Sequence, residues 1–260
     1  MRGLTLVLNA AEGRLQIVLA DEAELLCAQD WAAFRRGTEL LAPALERMFS
    51  GLHLRFADLE RIACVRGPGS FTGIRLVVGT AAALARAGGA LLAGLDYMQA
   101  LALGARACCA EERDARIWVL TYARRDLALA QVFAPDRDEA LPRAVSGLEL
   151  LTPEQCLHRM RDAARAGVPL WALGSALARH AEFADLSGPA CRIARCRGPS
   201  PEDLLLLARH AEYGRHDIEP LYARPCDAVE NLASIAARRG EDPASARARL
   251  ESLLALHQKA

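Results

Sequence analysis

The chain has 260 residues, 52% of them hydrophobic and 25% charged, which is the composition of an ordinary globular protein. Basic and acidic residues are equal at 32 each, so no basic excess exists to attract a polyanion, and this argues against autonomous nucleic-acid binding. The apolar run 4–8 is too short for a signal-peptide core, and the uncharged run 76–85 is half a membrane span. We therefore expect a cytoplasmic protein with no membrane segment, and the eight cysteines, which lack paired C-x-x-C motifs, indicate free thiols.

The first hundred residues alternate short strand patterns with helical ones. Apolar runs bounded by turn residues predict strands, and apolar residues at helical spacing predict helices. The predicted strands are 4–8, 15–20, 24–28, 62–65 and 90–95, and the predicted helices are 38–48, 72–86 and 97–103. Thr38 is the expected N-cap of the first helix, although Pro43 inside that run predicts a kink or a later start. This order favours a mixed sheet flanked by helices.

The polar segment 107–116 marks a boundary between two lobes. Beyond it, the same signals predict strands at 117–122, 127–133 and 170–173, and helices at 152–167 and 201–213. Two short helices, separated at 240–243, end the chain. We therefore predict an N-terminal lobe at 1–104, a C-terminal lobe at 105–225 and a helical extension at 226–260.

A glycine-rich loop joins the fourth strand to the second helix. Its position suits anion binding at a helix N-terminus, but no lysine follows as in a P-loop, and the spacing is not G-x-G-x-x-G. A structural role fits equally, because glycine permits unusual dihedrals, proline stiffens a turn, and Ser70 or Thr72 can cap the helix. We predict a structural loop formed by Gly67, Pro68, Gly69, Ser70, Thr72 and Gly73.

The helix after this loop carries a stripe of small residues, which lets another helix approach closely. Gly79 costs about 1 kcal/mol relative to alanine in a helix interior, so a compensating contact is expected. Two interpretations remain open: tight packing of the helix on its own sheet, or an interface with another subunit. The predicted partner or dimer interface consists of Leu41, Leu45, Arg75, Gly79, Ala82, Ala83 and Arg86.

The stretch G-P-G-S-F-T-G-I-R, residues 67–75, closely resembles the TsaB (YeaZ) family, which takes part in making threonylcarbamoyladenosine beside the anticodon of tRNA. Three further stretches resemble family motifs in the same order, at residues 35–43, 58–63 and 219–228. The resemblance implies an actin-like ATPase (ASKHA) fold with two related lobes, each a mixed sheet flanked by helices. It also implies a subunit that is not itself the catalyst.

In that family, the subunit binds the catalytic paralogue TsaD through helices of the N-terminal lobe, and the ATPase TsaE joins the assembly. The resemblance therefore implies a TsaD-like partner, a TsaE-like ATPase, a homodimer when the protein is alone, and contact with tRNA only through the complex. It implies no catalytic residue, cofactor or metal ligand in this chain.

The first turn departs from the family pattern. Many relatives have I-D-T-S where this chain has Leu8-Asn9-Ala10-Ala11, so a carboxylate is replaced by an amide and two hydroxyls by methyl groups. A magnesium–nucleotide site would lose its natural partners. No H-x-x-x-H pair is present, and the six histidines are dispersed.

The competing hypotheses are a weak ATP-binding protein or ATPase, a peptidase, and a direct tRNA-binding protein. A peptidase needs a nucleophile with an oriented base, or an H-E-x-x-H helix, and residues 210–212 provide only a fragment of that motif. Cys191 and Cys196 with a nearby histidine are a remote metal-site candidate. The arginine pairs at 35–36, 124–125 and 238–239 are candidate tRNA contacts.

Overall fold

A computed structural model describes residues 3–22, 24–32, 36–106, 109, 112, 114–135, 140–184, 186, 191–194, 196, 198–223 and 231–257. The chain forms two compact units, Met1–Ala223 and Arg224–Ala260. The larger unit contains two mixed β-sheets with helices against them. The smaller unit is helical.

The first sheet has five strands in the order β3-β2-β1-β4-β5. β1 pairs antiparallel with β2 and parallel with β4, and β4 pairs parallel with β5. The elements are β1 (Leu4–Asn9), β2 (Leu15–Asp21), β3 (Glu24–Trp31), α1 (Gly37–Gly51), β4 (Arg61–Gly67), α2 (Phe71–Gly88), β5 (Leu91–Asp96) and α3 (Tyr97–Arg106). Every strand and helix predicted for this half of the chain is present.

The second sheet has the order β11-β10-β6-β7-β8, and β9 also pairs with β7. β6 pairs antiparallel with β7 and parallel with β10, and β10 pairs parallel with β11. The elements are β6 (Arg116–Arg124), β7 (Leu127–Ala134), β8 (Arg143–Ala144), β9 (Glu149–Leu151), α4 (Pro153–Arg165), β10 (Leu170–Leu173), α5 (Ala176–Arg179), β11 (Cys191–Ile193) and α6 (Pro201–Arg209).

The two sheets share one plan. Each begins with an antiparallel hairpin, and each then adds two parallel strands on the other side of its first strand, with helices between them. The predicted arrangement of two related lobes, each a mixed sheet flanked by helices, is confirmed.

Buried side chains alternate between the two faces of the first sheet. Leu6 and Leu8 of β1 pack with α1 and α2 in an outer core, whereas Val7 between them packs in a central core. β1 is therefore buried on both faces, which explains why its sequence is a continuous apolar run. The second sheet has an outer core of its own, formed with α4 and α5.

The last helix of each lobe reaches the other lobe. α3 contacts β6, β7 and β10 of the second sheet in addition to β4 and β5 of its own. α6, which follows the second sheet, contacts β1, β2, β3 and β5 of the first. Side chains of both sheets and of both helices form the central core, so this core belongs to neither lobe alone.

α1 and α6 differ from their predicted bounds. α1 begins at Gly37 after Arg36, so Thr38 is not its N-cap, and the helix continues through Pro43 to Gly51. The buried apolar face of α1 compensates for the hydrogen bond that proline removes. α6 ends at Arg209 instead of residue 213, because Gly214 forms backbone hydrogen bonds with Leu92 of β5 and the residues before it must adopt a non-helical path to reach that strand.

The smaller unit contains the two predicted C-terminal helices, α7 (Leu232–Arg238) and α8 (Pro243–His257), which contact each other. Gly240, with φ +73°, lies between them in the left-handed conformation that glycine tolerates best. Asp242 accepts a hydrogen bond from the backbone N–H of Ser245 (2.9 Å) at the start of α8. No helix in the described part of the chain is long and apolar enough to cross a membrane.

Candidate partner surface and inter-lobe cleft

The glycine loop between β4 and α2 lies directly on other backbone segments. A Cβ atom at Gly67 would lie 2.3 Å from the carbonyl oxygen of Leu221, and one at Gly69 would lie 2.4 Å from that of Ala11. Both glycines have positive φ, +130° and +157°. The N–H of Ser70 donates to the carbonyl oxygen of Ala11 (2.5 Å). Glycine is therefore needed here for both conformation and close approach.

Ser70 is the N-cap of α2, since its Oγ accepts a hydrogen bond from the N–H of Gly73 (3.3 Å). Thr72, the other candidate cap, is exposed. A Cβ atom at Gly73 would lie 2.0 Å from the carbonyl oxygen of Ala10, so the β1–β2 turn packs against the first turn of α2.

The stripe of small residues on α2 faces away from the sheet. Gly79 and Ala83 are exposed and Ala82 is half-buried, while the opposite face of the helix is buried. A Cβ atom at Gly79 would meet nothing within 4 Å. Gly79 therefore does not serve tight packing of α2 on its own sheet. The second interpretation of this stripe, an interface with another subunit, stays a prediction.

Arg75 and Arg86 are exposed at the two ends of the stripe. Leu41 and Leu45, which the sequence analysis assigned to the same interface, are only 2% and 3% exposed and pack in the outer core of the first lobe. Their side chains stabilise the lobe and cannot meet a partner from this position. The candidate partner surface therefore consists of Arg75, Gly79, Ala82, Ala83 and Arg86.

The segment after α6 carries the chain back across the first lobe to the glycine loop. Gly214 exchanges two backbone hydrogen bonds with Leu92 of β5, at 2.8 and 2.9 Å. Asp217 forms an ion pair with Arg86 of α2 (2.7 Å). The N–H of Leu221 donates to the carbonyl oxygen of Arg66 (2.7 Å). The motif at 219–222 therefore lies beside the loop that precedes α2.

The side-chain amide of Asn9 forms hydrogen bonds inside the fold with both of its polar atoms. Asn9 is 1% exposed, and its Oδ1 accepts from the N–H of Ala11 (3.0 Å). Its Nδ2 donates to Oε1 of Gln16 (2.7 Å). Nε2 of Gln16 donates to Pro199 O (2.8 Å) and to Asp30 Oδ2 (3.1 Å), which fixes which end of Gln16 faces Asn9. The side chain at position 9 must therefore donate a hydrogen bond to Oε1 of Gln16.

Glu12, in the β1–β2 turn, connects the two lobes. Its Oε1 accepts from the hydroxyl of Ser175 (2.5 Å), which follows β10, and its Oε2 accepts from the hydroxyl of Tyr97 in α3 (3.2 Å). Burial raises the pKa of Glu12 above its ordinary value, although the hydrogen bonds from Ser175 and Tyr97 and the charge of Arg179 oppose the shift. Local sequence patterns could not predict the contact between Glu12 and Ser175, because the two residues are 163 positions apart.

The residues considered for enzymatic chemistry are not brought together. Ser70 is used as a helix cap, and the described residues contain no group of three or more metal-ligating side chains. Burial raises the pKa of the Cys191 thiol to about 11, and that of Cys64 to about 12, so neither is a thiolate at neutral pH.

The arginines of the three candidate pairs have different local surroundings. Arg36 pairs with Glu39 (2.7 Å), and Arg238 donates to Ser234 (3.1 Å). Arg124 and Arg125 are exposed, and Arg35 lies outside the described residues. Direct tRNA binding through these pairs stays a hypothesis.

The two lobes have the same plan and are joined by a hydrogen bond from the β1–β2 turn to the segment after β10. This arrangement defines an actin-like ATPase fold. The chain belongs to the TsaD family, tRNA N6-adenosine threonylcarbamoyltransferase, whose model matches residues 32–167, about half of the chain. The sequence matches none of the curated proteins.

Among solved structures, the chain is similar to YeaZ from Pseudomonas aeruginosa, with a TM-score of 0.61 and 21% identity over 80% of this chain and 91% of that one. It is also similar to an uncharacterized protein described as having similarity to peptidase YeaZ from Pseudomonas aeruginosa, with a TM-score of 0.66 and 22% identity over 85% of this chain and all of that one. At 21% and 22% sequence identity, the similarity to these two structures establishes the fold of this chain. The expected resemblance to TsaB (YeaZ) is confirmed, and with the family match it supports involvement in the biosynthesis of threonylcarbamoyladenosine.

Proposed function

We propose that the protein is a non-catalytic scaffold subunit of the complex that makes threonylcarbamoyladenosine in tRNA, and that it binds a TsaD-like catalytic paralogue through the exposed face of α2. The observation that carries this proposal is the open space above Gly79, a helix-interior glycine with no contact to explain it inside the chain. A TsaE-like ATPase would join the assembly. The protein alone would form a homodimer through the same face, and tRNA would be bound only through the complex.

The composition of the face supports a helix as the contacting element. Gly79 and Ala83 are one helical turn apart, and small side chains at that spacing let two helix axes approach to about 8 Å. Arg75 does not extend freely into solvent, because its guanidinium lies 5.1 Å from the centre of the Phe71 ring. Arg86 is held by Asp217. The two cations at the ends of the face therefore each contact a side chain of their own chain, Phe71 for Arg75 and Asp217 for Arg86.

The first turn supports the non-catalytic part of the proposal. Asn9 cannot hold a metal-bound water as a carboxylate would, and both polar ends of its amide are already paired. Ala10 and Ala11 offer only backbone groups, and their carbonyl oxygens lie against the glycine loop. Residues 9–11 therefore offer a magnesium-bound nucleotide no side-chain ligand, and the carboxylate of Glu12 in the same turn already accepts from Ser175 and Tyr97.

Light scattering on the purified protein, alone and mixed with the TsaD paralogue of the same organism, tests the partner surface. We expect Gly79→Trp and Ala83→Trp to keep wild-type circular dichroism and to lose association. Gly147→Trp is the matched control, since Gly147 is exposed in the second lobe and a Cβ atom there also meets nothing within 4 Å. Unchanged association of Gly79→Trp would exclude this face as the interface.

Titration of the isolated protein with Mg-ATP tests the non-catalytic role. The proposal expects neither micromolar binding nor turnover. Saturable binding at micromolar concentration, accompanied by release of phosphate, would instead establish an ATPase and overturn the scaffold assignment.

A further inference from the structure

β5 is the last strand of the first sheet, so one of its edges lies beside no other named strand in the described part of the chain. The N–H of Leu91 donates to the carbonyl oxygen of Glu60 (2.9 Å), which directly precedes β4, so the backbone groups of Leu91 face β4. Because these groups alternate between the two edges of a strand, those of Leu92 and Gly94 point to the outer edge. An open row of such groups is a template for pairing with a strand of another chain.

Residues 214–221, which we call the strap, cover this outer edge. Gly214 exchanges two backbone hydrogen bonds with Leu92, at 2.8 and 2.9 Å. Ile218 is half-buried, and its Cγ2 atom lies 3.1 Å from the position that a Cβ atom would have at Gly94. The strap therefore shields the edge of β5 with one bridge and one apolar side chain, without forming a strand of its own.

Two further contacts fasten the strap to the first lobe. The N–H of Leu221 donates to the carbonyl oxygen of Arg66 (2.7 Å) at one end of the strap. In its middle, Asp217 forms the ion pair with Arg86 of α2 (2.7 Å), and these two side chains are 69% and 67% exposed. Ion pairs as exposed as this one contribute little to stability and are screened by salt. The middle of the strap is therefore held weakly.

We propose that the strap is a releasable cover, which opens as one unit while both sheets stay folded and thereby exposes the outer edge of β5. The structure describes all eight residues of the strap: four are exposed, four are half-buried and none is buried. A segment that buries so little opens at a lower free energy than the strands beneath it. The ion pair between Arg86 and Asp217 shifts the equilibrium towards the closed strap, and so limits how often the edge of β5 is accessible.

Amide hydrogen exchange, followed by NMR on the full chain, tests the proposal. The N–H groups of Gly214 and Leu221 report on the strap, because each donates to a carbonyl oxygen of the first sheet. The N–H of Leu91, which bonds to Glu60 beside β4, is the reference for the sheet itself. We expect Gly214 and Leu221 to have similar protection factors and to exchange at least about tenfold faster than Leu91.

The variant Asp217→Asn tests the part played by the ion pair. We expect it to speed the exchange of both strap amides about two- to fivefold, as for the loss of an exposed ion pair, and to leave Leu91 unchanged. Glu149→Gln is the matched control, because it breaks an exposed ion pair with Arg159 (2.8 Å) in the second lobe. The control should change neither strap amide.

Exchange of Gly214 and Leu221 at the rate of Leu91 would overturn the proposal, because the strap would then open only together with the sheet. So would strap amides that exchange equally fast in Asp217→Asn and wild type, or an Asp217→Asn variant in which Leu91 is accelerated as much as the strap. The measurement uses the isolated protein, so its result does not depend on whether a partner binds the face of α2.

Discussion

The rings of Phe71 and Tyr222 stack on the surface of the first lobe, with centroids 5.0 Å apart and an interplanar angle of 34°. Phe71 opens α2, and Tyr222 ends the segment that returns from the second lobe. The two residues belong to separate motifs of the sequence, and their contact brings the two motifs together beside the start of α2. The rings are 39% and 42% exposed, and the guanidinium of Arg75, a residue of the candidate partner surface, lies 5.1 Å from the centre of the Phe71 ring.

A double-mutant cycle measures this contact. We expect Phe71→Ala and Tyr222→Ala each to lower the free energy of unfolding, with a coupling energy of about 0.5–1.5 kcal/mol, as found for aromatic pairs. Urea denaturation of the two single variants and the double variant provides the measurement. If the losses in unfolding free energy of the two single variants add up to that of the double variant, the two rings do not stabilise each other.

Two glycines of α2 should respond in opposite directions to the same substitution. Gly73→Ala places a methyl group 2.0 Å from the carbonyl oxygen of Ala10, so we expect a loss of about 1–3 kcal/mol in the free energy of unfolding. Gly79→Ala meets open space and should raise stability by about 0.5–1 kcal/mol. Thermal or urea unfolding separates the two, and stabilisation by Gly73→Ala would contradict the described packing of the β1–β2 turn.

Asn9→Asp should destabilise the protein instead of restoring a metal site. The new carboxylate would place an acceptor 2.7 Å from the Oε1 acceptor of Gln16, an arrangement that costs about 1–3 kcal/mol. Because this raises the pKa of the aspartate in the folded state, the penalty is present above that pKa and disappears as the pH falls and the protonated acid donates to Gln16. Unfolding free energies of variant and wild type between pH 7 and pH 4 measure it. A magnesium-dependent gain of stability in the variant would argue against this network.

Glu12 makes the stability of the wild type depend on pH in a predictable direction. Since burial raises its pKa in the folded state, the folded protein holds the proton more tightly than the unfolded chain does. Stability is therefore greatest below the unfolded pKa and decreases as the pH rises through the folded pKa. Glu12→Gln should remove this decrease, so its stability relative to wild type should rise from acid to neutral pH. A pH-independent difference between the two proteins would refute the assignment.

The sequence predicted the elements with strong hydrophobic periodicity. The five strands of the first sheet and helices α1 to α3 follow from apolar runs, turn residues and caps, each of which acts within a few residues. β8, β9, β11 and α5 were not predicted, because they have only two to four residues and, unlike the four-residue strand β10, are not continuous apolar runs.

The candidate site was predictable only in part. The exposed stripe on α2 follows from the spacing of Gly79 and Ala83, but the same helical spacing cannot say which face of α1 is buried, and Leu41 and Leu45 were assigned wrongly for that reason. The bond between Glu12 and Ser175 depends on how the two lobes meet, which no local pattern encodes.

α3 of the first lobe packs against the second sheet, and α6 of the second lobe packs against the first sheet. This packing has a consequence for folding. Each sheet has its inner face covered partly by a helix from the opposite half of the sequence, so neither half alone can bury the apolar side chains of that face. Separately expressed halves, divided within the polar segment 107–116, should stay unstructured until they are mixed. The two lobes should then melt in a single transition, as one cooperative body that has no independently stable part.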